Sequence, residues 1–217
     1  MKLWRNIIVI TLVITGILFI GTPFIKNYII NHNMNNSLNE MEELDSNELA
    51  ANRKNKEYSE EVTELPSNVD VFKSLKFEGN PVAFLYLPRT GLKLPIYGSV
   101  NNTNLLHGAG EMKDYSELGK GNYAIAGHRM KEEGLLFHDI PRLKKGDVIY
   151  VTDKETIYEY KLYDPEIVYE DETDLINDRD KDEITLLTCD VPSKPHNRVK
   201  VNGDLINTYS YTNDFFD

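Results

Sequence analysis

Residues 7–25 carry no charged side chain over 19 consecutive positions, and no other feature limits the fold of this chain as strictly. A helix rising about 1.5 Å per residue covers roughly 28 Å over such a run, which is the hydrocarbon thickness of a bilayer. The run is long for the apolar part of a cleavable signal, and no small-x-small cleavage site follows Gly21-Thr22-Pro23-Phe24-Ile25-Lys26. Residues 1–26 are therefore expected to form a cytoplasmic tip and an uncleaved transmembrane anchor. Lys2, Arg5 and the amino terminus stand against a single Lys26 on the far side, beyond which Asp and Glu dominate. This asymmetry puts the amino terminus in the cytoplasm and the rest of the chain outside the cell, as a single-pass protein of the cell membrane.

Lys2, Arg5 and Lys26 are the only charged side chains of that segment, so taking these three from the chain's net charge of −11 leaves −14 on residues 27–217. Such a surface repels nucleic acid, which is excluded as a partner, and suits a soluble ectodomain. Residues 27–70 are rich in Asn, Glu and Ser with scattered apolar side chains. They read as a polar, acidic juxtamembrane spacer without a core of its own, although Leu38, Met41, Leu44 and Leu49 can line one side of a short helix. Residues 71–217 are enough for one ordinary domain.

Within that domain the pattern is one of short β segments, at 82–87, 92–97, 122–126, 148–151, 157–163, 167–169, 184–188 and 199–201. Turn-forming groups such as Arg89-Thr90-Gly91, Lys145-Gly146-Asp147 and Thr152-Asp153-Lys154 separate runs of β-branched and aromatic residues. Residues 104–112 and 134–143 read instead as short helical turns. The expected fold class is all-β with short helices: eight strands closed as a barrel or stacked as a sandwich, preceded by one transmembrane helix.

The single cysteine, Cys189, ends the apolar run Ile184-Thr185-Leu186-Leu187-Thr188 and has no partner for a disulfide within the chain. A lone thiol outside the cell, where thiols ordinarily pair, points to chemistry. His128 closes another apolar run, Tyr123-Ala124-Ile125-Ala126, through Gly127. Two strand ends meeting at one rim would join this imidazole to the thiol across 61 residues of sequence, and Arg198, at the start of the next strand, can complete the group. The trio suits acyl transfer, with a sulfur nucleophile, an imidazole that protonates a departing amine, and a guanidinium facing the oxyanion. One cysteine without zinc-spaced ligands excludes a structural zinc site. The acidic run from Asp164 to Glu183 shows no calcium-loop spacing and reads as solvated.

These residues together resemble the sortases, the membrane-anchored cysteine transpeptidases of Gram-positive bacteria. Thr185-Leu186-Leu187-Thr188-Cys189 looks like the TLxTC signature, and Ala126-Gly127-His128-Arg129 looks like the catalytic-histidine segment. Further agreement comes from Leu94-Pro95-Ile96-Tyr97, Leu105-Leu106-His107-Gly108-Ala109-Gly110 and Leu143-Lys144-Lys145-Gly146-Asp147, over roughly residues 78–206. The resemblance implies a closed eight-stranded sortase-type β-barrel over residues 71–217. It also implies cleavage of an LPxTG-like sorting signal between Thr and Gly, a thioester on Cys189, and transfer to an amine of a cell-wall precursor. By the same resemblance His128, Cys189 and Arg198 are catalytic, while Thr188 and Ala126 contact the signal. The partners are surface proteins with a C-terminal sorting signal, the amine acceptor and the membrane.

An N-terminal anchor is similar to class A. Some class A members bind calcium through carboxylates ahead of the histidine, but here Lys113 and Lys120 interrupt that segment, so no cofactor is expected and any calcium effect should be weak. Two other readings stand beside transfer: an extracellular thiol hydrolase with water as acceptor, and a non-catalytic surface-binding module. Leu87-Pro88-Arg89-Thr90-Gly91 itself spells LPxTG, but its place between two strands makes it a hairpin turn.

Overall fold

Alternating apolar residues in the first β segment build both sides of the structure at once. In a computed structural model that describes residues 2–59, 66–77, 79–169, 172–192, 197–213 and 215, strand β1 (Pro81–Leu87) sends Ala83, Leu85 and Leu87 into the main core. Phe84, of opposite parity, is also buried, because Met41 and Leu49 cover it from the helical side. Around β1 run β2 (Leu92–Tyr97), β3 (Ala109–Glu111), β4 (Asn122–Ala126), β5 (Val148–Thr152), β6 (Thr156–Leu162), β7 (Glu166–Tyr169), β8 (Glu183–Cys189) and β9 (Asn197–Ser210).

The strand order is β6-β5-β1-β2-β3-β4-β8-β9-β7, and the pairing of β6 with β9 closes eight of these nine strands into a barrel. β2–β3 and β4–β8 run parallel and the other neighbours antiparallel, so the barrel is mixed. β7 lies outside the ring on the first half of β9, opposite residues 197–200. Tyr123, Ile125, Leu186 and Val201 fill the interior and are fully buried.

The ring has the expected number of strands with a different membership. β3 falls in 104–112, where helical turns were expected; only Asn102–Leu105 is helical there (α4), ahead of the three-residue strand Ala109-Gly110-Glu111, whose residues are poor strand formers by themselves. β9 runs 14 residues rather than stopping at 201, because polar Asn202-Gly203-Asp204, which breaks the apolar pattern, still pairs with β6 and β8. In 134–143 the helical content is one 3-10 turn, Ile140–Arg142. The LPRTG segment is a hairpin turn between β1 and β2, as expected: Thr90 N–H donates to Leu87 O at 3.2 Å, Leu87 is buried, and Gly91 supplies the left-handed φ of +69°.

The largest difference lies at 27–59, which packs rather than spaces. Helix α1 (Lys2–Glu43) continues from the apolar run onto the barrel, where Ile29, Ile30, Met34 and Met41 are buried along one side. The polar residues of that side are used inside: Asn33 Nδ2 donates to Ser74 Oγ at 2.7 Å, and Ser37 Oγ meets His107 Nδ1 at 2.9 Å. Composition alone made this face look solvated. The portion at 7–25 stays exposed, and its length and apolarity suffice to cross a membrane.

Helix α2 (Ser46–Lys54) starts at a capping box, Asp45 with Glu48, and helix α3 (Asn68–Ser74) at a second, Ser67 with Asp70. α2 is clamped onto the barrel through Glu111, whose carboxylate has no solvent exposure. It accepts from Arg53 at 2.8 Å, Lys56 at 2.5 Å and Tyr123 Oη at 2.9 Å. Replacing Arg53 and Lys56 together by Met strands that carboxylate. The expected loss is about 3–5 kcal/mol in denaturant unfolding in detergent, partly restored by adding Glu111→Gln. A double variant as stable as the parent contradicts the clamp.

Candidate active site

The site is built by strand register. In the parallel β4–β8 pair Ala126 lies opposite Leu187, and the Gly127 N–H donates to Leu187 O at 3.1 Å, which carries the pairing one residue past the end of β4. Thr188 Oγ1 donates to Gly127 O at 2.8 Å, so the residues that follow, His128 and Cys189, leave adjacent strand ends. In the antiparallel β8–β9 pair Cys189 lies directly opposite Arg198. His128, Cys189 and Arg198 therefore lie at or just past the ends of three adjacent strands, at one rim of the barrel.

Buried polar contacts hold this register. Thr185 Oγ1 donates to Asn122 Oδ1 at 2.7 Å and accepts from Asn202 Nδ2 at 2.7 Å, linking β4, β8 and β9 within the protein. Asn122 Nδ2 also donates to the carbonyls of Leu175 and Asn177. Nearer the rim, Thr188 Oγ1 donates to Gly127 O at 2.8 Å. A one-residue slip would break each of these bonds and turn every side chain to the other face.

Gly127 has a steric role: a Cβ there would sit 2.6 Å from Cγ of Phe137, whose ring packs against it. Phe137 in turn donates its N–H to His128 O at 3.0 Å, and Arg129 bridges to Leu136, so the loop after β4 folds back and fixes the histidine from behind. Ala126, the last residue of β4, is half-buried just before this turn.

His128 is 7% exposed, and its Nε2 has no hydrogen-bond partner among the described residues. Burial, with a smaller contribution from the charge of Lys26 on α1, lowers its pKa to about 4, so the ring is a neutral imidazole at physiological pH. Cys189 and Arg198 are half-buried, and Arg198 Nη1 donates to Asn197 O at 3.2 Å. Sequence reasoning assigned no part to Arg129, yet its guanidinium donates to the carbonyls of Cys189 and Asp190 and holds the turn that leaves the cysteine. Its only signal was adjacency to His128. The proximity of Lys26 had no sequence signal, because it depends on the docking of α1.

The acidic segment is tied into the barrel by protein groups. Asp178 Oδ1 accepts from Lys113 Nζ at 2.6 Å and from Asn122 N at 2.8 Å, and Asp182 Oδ1 accepts from Gly121 N at 2.9 Å. Glu170 and Asp171 of that segment lie outside the described residues. Among the described residues no group of three or more His, Cys, Asp or Glu is placed to hold a metal ion.

Burial also lowers the pKa of His107 to about 4, against a smaller opposing effect of its contact with Ser74 O. Both rings take up protons more readily in the unfolded chain. Stability is therefore expected to be level above about pH 6.5, the ordinary histidine value, and to fall as pH drops from there toward 4. Unfolding midpoints across that window are expected to slope less steeply in His107→Gln and His128→Gln; an unchanged slope in both contradicts the two buried neutral rings.

Comparison with known proteins agrees with this architecture. A family profile described as the sortase domain matches residues 85–206. The chain is 34% identical to Sortase A of Listeria monocytogenes over 211 residues, covering 96% of this chain and 94% of that protein. It is 33% identical to Sortase A of Bacillus anthracis over 211 residues, covering 94% and 95% respectively. The solved structure of the Listeria monocytogenes sortase A superposes with a TM-score of 0.59 at 38% identity, over 61% of this chain and 91% of that one. Sortase E from Streptomyces avermitilis superposes at 0.53 with 29% identity, over 60% and 90%. With a barrel closed in the same way and a family match over more than half its length, this chain belongs to the sortase family of transpeptidases.

Proposed function

We propose that the chain is a membrane-anchored cysteine transpeptidase of the cell surface. In this reading it cleaves an LPxTG-like sorting signal between Thr and Gly and passes the acyl group to an amine of a cell-wall precursor. The observation that carries the proposal is the register that aligns His128, Cys189 and Arg198 on three neighbouring strand ends. The apolar run of α1 serves as the anchor, with the amino terminus in the cytoplasm and the barrel outside.

In the proposed cycle the Cys189 thiol gives its proton to the neutral His128 ring as sulfur attacks the Thr carbonyl. Arg198 donates hydrogen bonds to the oxygen that becomes negative. Collapse breaks the Thr–Gly bond, and His128 returns the proton to the departing Gly amine, leaving a thioester. The acceptor amine then attacks the thioester, His128 removes its proton, and the sulfur leaves and is reprotonated. Burial favours the uncharged ring at rest, so it starts as a base and becomes the acid within the same step. Ala126 and Thr188 border the path of the signal, and Thr188 acts by holding Gly127 and with it the histidine turn.

We further propose that the enzyme works without calcium. Lys113 Nζ occupies the acidic segment at Asp178 and ties the β3–β4 loop to the segment before β8 with a cation of the chain's own. Chelation of divalent ions is accordingly expected to leave the rate unchanged, and a large rise on adding calcium overturns this point.

Mass spectrometry of products from an LPxTG peptide, with and without an oligoglycine amine, tests the main reading. The account expects a product joined to the amine, none from Cys189→Ala, and a rate lower by about 10²–10³ in Arg198→Ala. A product that is only hydrolysed whatever the amine concentration would identify a hydrolase. Full turnover by Cys189→Ala overturns the assignment.

A further inference from the structure

α1 passes without interruption from the apolar run into the stretch packed on the barrel, so elements beside residues 22–29 lie where the span leaves the bilayer. α3 occupies that place. Its Val71 is buried, and Val71 and Phe72 share a narrow cleft with Thr22, Ile25, Lys26 and Ile29 of α1. Much of the apolar surface of this short helix is nonetheless open: Val69 is 59% exposed, Phe72, at the edge of that cleft, 57% and Leu75, at the carboxyl end, 48%. The barrel core does not use them.

Charge and aromatic placement point to one occupant. Lys73 and Lys76 are exposed beside these apolar groups, while Lys26 of α1 is half-buried and donates to Pro66 O at 2.9 Å. Asp70, the carboxylate of this helix, is engaged by the N–H and hydroxyl of Ser67 in the capping box and also attracts Lys73. A basic edge on a domain of strongly negative net charge suits anionic lipid phosphates. Exposed Tyr28 lies one turn past the end of the apolar run, and exposed Trp4 marks the other end of the span. At about 1.5 Å per residue the two rings are roughly 36 Å apart, the spacing of the aromatic belts at the two faces of a membrane.

We propose that α3 is a membrane-docking surface: Val69, Phe72 and Leu75 enter the headgroup–acyl boundary of the bilayer crossed by α1, while Lys73 and Lys76 face lipid phosphates. The proposal rests on the reading of residues 7–25 as a membrane span. Its consequence is positional. The loop after His128 is bound to the same level of α1, with Asn27 Nδ2 donating to Glu132 Oε2 at 2.6 Å, so docking holds the histidine side of the rim close to the bilayer surface.

The test uses the full chain reconstituted in phosphatidylcholine–phosphatidylglycerol vesicles whose acyl chains are brominated near the carbonyl end. Trp4 is the chain's only tryptophan, so its emission reports the span directly. In a Trp4→Phe background, the indole introduced by Phe72→Trp is expected to be blue-shifted and to lose emission to the brominated lipid. An indole introduced by Tyr115→Trp, at a 92% exposed position on the α2 side, is expected to lose none. Adding Lys73→Glu and Lys76→Glu should weaken the loss at position 72. Equal, water-like emission at positions 72 and 115 while native Trp4 is quenched overturns the docking and leaves the span intact. An unquenched Trp4 overturns the span, and the docking falls with it.

Discussion

Everything at this site depends on the register of three strands. β4 and β8 come from distant parts of the sequence and pair in parallel, so no hairpin fixes their alignment, whereas β9 follows β8 directly and pairs with it antiparallel. The alignment is set instead by groups that must be satisfied inside the protein. Thr185 is shared between Asn122 and Asn202, and Thr188 is bonded to the carbonyl of Gly127. Each bond has a buried partner that would lose it on slippage, and an unmade buried hydrogen bond costs about 1–3 kcal/mol. Both threonines of the Thr185–Cys189 motif thus act in placement, and the cysteine at its end inherits their precision.

The rim set by this register is chemically asymmetric. His128 is enclosed by its returning loop and held neutral, whereas Cys189 and Arg198 keep partial access to solvent. Burying the ring sacrifices stability under acid in exchange for a base that begins without a proton. Arg129 steadies the carbonyls around Cys189, and Lys26 reaches the same region from α1. The N-terminal helix therefore has two parts in the architecture: an apolar stretch of membrane length, and a stretch that packs on the domain and adjusts the electrostatics of its rim.

Much of this was legible in the residues. Cys189, His128 and Arg198 each stand at the end or start of an apolar run, so their places at neighbouring strand ends followed from the pattern once the strands were placed. In 27–70 the apolar line of Leu38, Met41, Leu44 and Leu49 was legible and is packed in the structure, but the docking of the polar face was not, because Asn33 and Ser37 form buried hydrogen bonds to Ser74 and His107, which lie far off in sequence. β3 was missed because Gly108-Ala109-Gly110 has no strand propensity and pairs only through the context of β2 and β4. The second half of β9 was missed because its polar residues obtain their partners from β6. In each case the signal lay in a long-range partner, which periodicity along one segment does not record.

The central claim is that Cys189 carries the acyl group between donor and acceptor. Rapid acid quenching of the protein with an LPxTG peptide in the absence of amine, followed by intact-mass measurement and peptide mapping, addresses it directly. The account predicts an added mass equal to the peptide through its Thr, confined to the fragment containing Cys189 and discharged by hydroxylamine. Turnover of the peptide with no adduct at Cys189, or an adduct on another side chain, would contradict it.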